Sequence, residues 1–190
     1  AEARVILLFH LTGTLMEIFK VNAGSWAYPE AALLKIWGVP LFSGFMYASV
    51  GSFMARVIRI FDMRFAPYPP LWMTFALGAA IYLNFFTHHY IWDARYVLFA
   101  ATLLLYLADH DYWMPLPLAA FFTSFFLWVA ENVGTGTGTW IYAGTDGLSL
   151  VSLAKLGSWY LLLYVSFVTV TLVMRDALIR APITKARANT

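Results

Sequence analysis

Two glutamates, Glu17 and Glu131, each close an apolar run and are followed at the same offsets by one polar and aromatic pattern. Glu17 precedes Gly24, Ser25, Trp26 and Tyr28, and Glu131 precedes Gly138, Thr139, Trp140 and Tyr142. A carboxylate at a membrane boundary is unfavourable unless it is solvated, paired or used. Acid at a helix C-terminus also opposes the macrodipole, so two such placements point to a use. A glutamate paired with Lys20 or Lys155 would stay ionised, whereas one enclosed by aromatic rings becomes a proton donor. The chemistry that fits is acid–base transfer, with Glu17 and Glu131 as the catalytic pair. Trp26, Tyr28, Trp140 and Tyr142 would then form a binding wall; the competing role for these four is interfacial anchoring.

Other polar residues extend the candidate ligand-binding set. His10, Thr14 and Glu17 recur at i, i+4 and i+7, one face of a helix, and that face is expected to point into a bundle rather than at lipid. Gly44, Ala48 and Ser52 form a row of small residues suited to close helix packing, with Ser43 and Tyr47 along its edge. Asn84, Thr87 and His88 share a helix face, and His89 adjoins them. Metal chemistry is not expected: there are four histidines, no cysteine and no HxxxH spacing. No cofactor is implied. Asp109, His110 and Asp111 read as a solvated turn. Lacking cysteine, the chain also has no disulfide or thiolate nucleophile.

These residues need a scaffold, and composition names it. The 190 residues are 62% hydrophobic and 12% charged, with a mean hydropathy of +0.71. A soluble domain carries about 25% charged residues. The expected fold is all-α, a single polytopic transmembrane domain of about six helices, near residues 3–22, 36–58, 69–90, 94–110, 115–133 and 150–175. Pro40 falls inside the second and is expected to kink it. Pro67, Pro69, Pro70, Pro115 and Pro117 mark helix entries. The GTGTGT run from Gly134 to Thr139 is expected as flexible connection, and the tail 182–190 as mobile. The chain opens AEAR, which leaves room for an upstream helix. Six spans put both termini on one face, with Arg4, Arg56, Arg59, Arg64, Arg175, Arg180, Lys185 and Arg187, against Lys20, Lys35, Arg95 and Lys155 opposite. That bias predicts cytoplasmic termini. The doubled Glu pattern further predicts a parallel internal repeat relating helices 1–2 to helices 5–6, whose interface would suit a substrate. Nothing suggests nucleic acid.

The stretch GTLMEIFKVNAGSWAYPE, followed by VPLFSGFMYASVGSF, resembles a bacterial integral membrane family, domain of unknown function 817. The resemblance covers most of the chain and implies a multi-spanning architecture in a bacterial inner membrane, without naming a reaction. A more distant likeness is to membrane carotenoid cyclases and hydratases, which also place Glu at a helix end before a Gly and Tyr turn. The paired-acid Pro-Leu-Glu-Glu element of the cyclases stands here as Pro40, Leu41, Phe42 and Ser43. What this likeness implies is protonation of an isoprenoid double bond by an acid in an apolar pocket, with aromatic faces against the carbocation. The leading expectation is therefore a site that binds or modifies a hydrophobic isoprenoid or carotenoid-like molecule. The alternatives are a non-catalytic subunit holding lipid or pigment in a larger membrane complex, and a small proton-coupled transporter. Membrane lipids are the expected partners in every case.

Overall fold

A computed structural model describes residues 1–24, 28, 33–65, 70–106, 115–137 and 149–178. Six helices carry it: α1 (Glu2–Asn22), α2 (Phe42–Ile60), α3 (Leu71–Thr87), α4 (Arg95–Tyr106), α5 (Leu116–Gly136) and α6 (Leu153–Val173). Three of them, α1, α5 and α6, are long and apolar enough to cross a bilayer, and α3 and α4 are shorter apolar helices. Their outward stripes are bare hydrocarbon: Leu7, Leu11 and Leu15 on α1, and Phe122, Phe126, Val129 and Val133 on α5 are all exposed. Water would not tolerate so much contiguous apolar surface, whereas acyl chains do. The chain is a membrane protein.

Helix ends follow local chemistry. Glu2 sits in the first turn of α1 and Lys20 in its last, each complementing the macrodipole. Pro70 and Pro115 stand immediately before α3 and α5, where a missing N–H is harmless. Gly24, at φ 73°, ends the α1 turn in the left-handed region and donates its N–H to the Val21 carbonyl.

Two expectations change. Pro40 does not kink α2; it lies before the helix, in a small hairpin of β1 (Lys35–Ile36) and β2 (Val39–Pro40). The register pairs Lys35 with Pro40 and Ile36 with Val39, and the two turn residues, Trp37 and Gly38, both have positive φ, as a tight primed turn requires. Proline belongs at such an edge because it cannot donate to a helix interior. The glycine–threonine run does not begin as loop either: α5 continues through Gly134, Thr135 and Gly136. There Thr135 Oγ1 returns a hydrogen bond to the Glu131 carbonyl at 3.0 Å. The Asp109, His110 and Asp111 turn and the tail 182–190 lie outside the described residues.

Contacts at the helix ends show that successive helices alternate in direction. Glu2 at the start of α1 pairs with Arg56 near the end of α2 at 2.7 Å, so α1 and α2 are antiparallel. Phe19 late in α1 meets Phe86 late in α3, and Arg95 opening α4 meets Ser158 early in α6. Trp128 late in α5 donates to the Val151 carbonyl just before α6 at 2.9 Å. One face thus gathers Glu17, Lys20, His88, Arg95 and Glu131, and the other Glu2, Arg56, Arg64 and Asp176. On that second face Phe65 bridges to Leu178, beside a 3-10 turn at Arg175–Ala177.

The α1–α2 and α5–α6 pairs pack most closely, and α6 touches all five other helices. Its Tyr160, Leu161, Tyr164, Val168 and Val170 form much of the core, so α6 is apolar on every side. The α1–α2 seam is close because glycines line it. A Cβ on Gly13 would enter the Tyr47 ring, one on Gly44 would strike Thr14 Oγ1 and the His10 ring, and one on Gly51 would strike Phe9. The row of small residues on α2 therefore does pack against a helix, as its spacing predicts.

Candidate functional site

Glu17 comes from the last two turns of α1 and is only 3% exposed. Its two oxygens are served separately. Tyr47 Oη donates to Oε1 at 2.7 Å from α2, and Tyr28 Oη donates to Oε2 at 2.7 Å from the connection after α1. Each oxygen of the carboxyl group thus accepts one phenolic proton. The α1–α2 seam aligns this contact, since Gly13 lets the Tyr47 ring lie flat along α1.

One turn further on, Lys20 is also buried. Its Nζ lies 2.9 Å from His89 Nε2 and 6.0 Å from the centre of the Phe85 ring. With the ammonium as donor, His89 Nε2 is the acceptor and the ring proton sits on Nδ1. Desolvation, together with the charges of Lys20, His88 and Arg95, lowers the His89 pKa below 6.5 and keeps the ring neutral. The His88 ring lies 4.1 Å from that of His89, and its Nδ1 is held 2.8 Å from the Asn84 carbonyl. Buried Asn84 ties the α3–α4 turn by accepting from the Ala94 N–H at 3.2 Å. In the same turn, Arg95 holds Asp93 in a 2.6 Å ion pair, which lowers the Asp93 pKa to about 2.

The remaining candidates have plain placements. Ser43 is buried and donates to the Pro40 carbonyl at 2.8 Å, closing the start of α2. His10 stacks on Phe45 at 4.6 Å. Among the described residues, His10 Nδ1 and Thr14 Oγ1 are buried without a hydrogen-bond partner, both close against Gly44. The His10, Thr14 and Glu17 stripe thus faces α2. Trp26, Trp140 and Tyr142 lie outside the described residues.

Glu131 holds a position in α5 equivalent to that of Glu17 in α1: each stands five residues before the last residue of a 21-residue helix. Their settings differ. Glu131 is half-buried, and α5 packs on α4 and α6 while α1 packs on α2, α3 and α6. The two carboxylates belong to separate helix pairs, and the structure does not establish the repeat beyond this correspondence.

Beside the Glu17 cluster lies a cavity of 240 Å³ between α1, α3 and α6, with Tyr47 contributed by α2. Leu8, Met16, Phe75, Val165 and Leu172 are among its apolar wall residues. Polar groups are few: Thr12, Tyr47, Tyr82, Ser166 and Thr169. Tyr82 Oη is spent on the Thr12 carbonyl at 3.0 Å, and Ser166 Oγ on the Leu162 carbonyl at 2.8 Å. Tyr47 connects this apolar space to Glu17, being at once a wall residue and the donor to the carboxylate. The cavity itself was not legible in the linear pattern, because its wall is assembled from three helices distant in sequence.

Comparison with known proteins places the chain. "Uncharacterized protein YoaT" of Bacillus subtilis (strain 168) is 44% identical over 178 residues, covering 89% of this chain and 67% of that protein. No solved structure matches. Neither this relative nor the matching family description carries the likeness to carotenoid cyclases and hydratases. A match extending over residues 1–167 shows that the chain belongs to the family described as "Protein of unknown function (DUF817)".

Proposed function

We propose that this membrane protein binds a hydrophobic, isoprenoid-like molecule in the cavity between α1, α3 and α6, with the Tyr47–Glu17 pair at its polar edge. The observation that carries this reading is the double role of Tyr47, which lines an apolar space and donates to a buried carboxylate. Apolar walls with a few convergent polar groups are what a small-molecule site presents. A ligand hydroxyl can donate to Tyr47 Oη, whose own proton goes to Glu17, while the hydrocarbon part meets Leu8, Phe75 and Leu172.

Binding is favoured over protonation of the ligand. Tyr47 lines the cavity and Glu17 does not, and both Glu17 oxygens already accept phenolic protons. A general acid must reach the atom it protonates, and here the phenol stands in between.

The test is an absorption and mass spectrum of the organic extract of the detergent-purified protein, set beside that of Ala79→Phe, which fills the cavity from α3. A stoichiometric polyene or prenyl compound in the parent and its loss from the variant would support the reading. An extract holding only bulk phospholipid in both would refute it and favour a role as a non-catalytic subunit in a larger assembly.

A further inference from the structure

A second apolar groove, of 340 Å³, runs between α4, α5 and α6, away from the Tyr47 cavity. Phe99, Phe121, Leu153 and Leu161 line it, and Arg95 and Ser158 supply its polar end. Tyr96 and Leu153 along its edge are 77% and 72% exposed, so it opens on the outer, lipid-facing side of the bundle.

Arg95 is held rigidly but is not fully used. Its Nε lies 2.8 Å from Asp93 Oδ2, Nη2 pairs with the same carboxylate at 2.6 Å, and Nη1 donates to Ser158 Oγ at 3.0 Å. A guanidinium has five N–H groups. These contacts take three, so among the described residues one N–H on Nη1 and one on Nη2 remain to donate to an anion. Two further cations share this end of the bundle: Lys20, which feels the charge of Arg95, and Lys155, one turn before Ser158 on α6. Asp93 is the carboxylate in direct contact with the guanidinium.

We propose that this groove holds an acyl chain of an anionic bilayer phospholipid, with the lipid phosphate on the two open N–H groups of Arg95. A free inorganic anion would leave the apolar walls unused; a bilayer lipid fills both parts of the site. Arg95 opens α4, at the end of the bundle, where phosphates of a bilayer lie. Ser158 and Asp93 fix the fork, so its ordering is complete before the lipid arrives.

The test is native mass spectrometry of the delipidated full chain given equal amounts of phosphatidylglycerol and phosphatidylcholine with identical acyl chains. The protein is expected to retain phosphatidylglycerol preferentially. Arg95→Gln should reduce that preference about tenfold, the effect of losing roughly one charged hydrogen bond. Gly157→Leu keeps Arg95 and should reduce retention of the bound lipid, because a side chain there projects into open space within the groove rather than into the fold. It therefore serves as the second variant should Arg95→Gln fail to fold. Equal retention of the two lipids by the parent, or retention by Gly157→Leu equal to the parent's, would overturn the proposal. Displacement of the lipid by millimolar inorganic phosphate alone would also overturn it, since the acyl chain would then contribute nothing.

Discussion

Tyr47 and Glu17, thirty residues apart in sequence, meet at 2.7 Å across a helix seam kept open by Gly13. The contact joins a nearly fully buried carboxylate to the wall of an apolar cavity. Because α2 begins beside the end of α1, the pair also records how the two helices are aligned.

Tyr47→Phe should therefore lower stability by about 1–3 kcal/mol, the usual cost of taking a hydrogen-bond partner from a buried polar group. Glu17→Gln should do less harm, since an amide oxygen still accepts from one phenol. Combining the two substitutions should cost less than their sum, with a coupling of about 0.5–3 kcal/mol. Reversible unfolding in mixed micelles measures all three, and strict additivity would mean that the two side chains do not act together.

Two glycines, Gly44 in the α1–α2 seam and Gly157 on α6, offer a prediction with opposite signs. Gly44→Ala places a methyl group on Thr14 and His10 and should destabilise by about 1–3 kcal/mol, as overpacking does. Gly157→Ala meets no atom within 4 Å and should gain up to about 1 kcal/mol from helix propensity. Melting temperatures in one detergent would show the two shifts in opposite directions.

Acid should weaken the α1–α3 contact through His89. The pKa of His89 is lowered below 6.5, first by desolvation and then by Lys20, His88 and Arg95. The unfolded chain thus binds a proton that the folded chain refuses. The associated stability is present above 6.5 and is lost as pH falls through the folded pKa. Asp93 acts in the same direction but lower, between 3.8 and about 2. Melting temperatures of the parent and of His89→Gln between about pH 7 and pH 5 should converge as pH falls; parallel curves would rule His89 out as the titrating group.

The absence of cysteine makes topology directly measurable, because any introduced thiol is the sole one. Asp62, after α2, and Ser152, before α6, lie on opposite faces. With arginines 56, 59, 64 and 175 on the Asp62 face, that face is expected in the cytoplasm. An impermeant maleimide should label Ser152→Cys in intact cells and Asp62→Cys only after permeabilisation. The reverse pattern would invert the orientation, and labelling of both from outside would contradict the alternation of the helices.

Much of this architecture was legible in the chain. Hydropathy placed the six helices because the stretches that cross or line a bilayer have few alternatives to an apolar composition. The link between Glu17 and Tyr28 could be suspected from spacing, and the seam from Gly44 and Ala48. Pro40 was harder, since a two-residue hairpin leaves almost no periodicity to read. Lys20 with His89, and Arg95 with Ser158, were beyond reach for another reason. Each joins elements more than sixty residues apart, and no local pattern encodes which helix packs beside which.

The central position of α6 has a consequence in time. During synthesis the other five helices leave the ribosome first, yet each of them rests on α6 in the finished molecule. Until α6 arrives, Gly78 lacks Val168 and Phe99 lacks Tyr160, the α6 residues they meet, and only the α1–α2 pair is already close-fitting. Assembly is therefore a matter of waiting: an early hairpin and three loosely held helices, gathered into one body by a sixth that must slot into the middle.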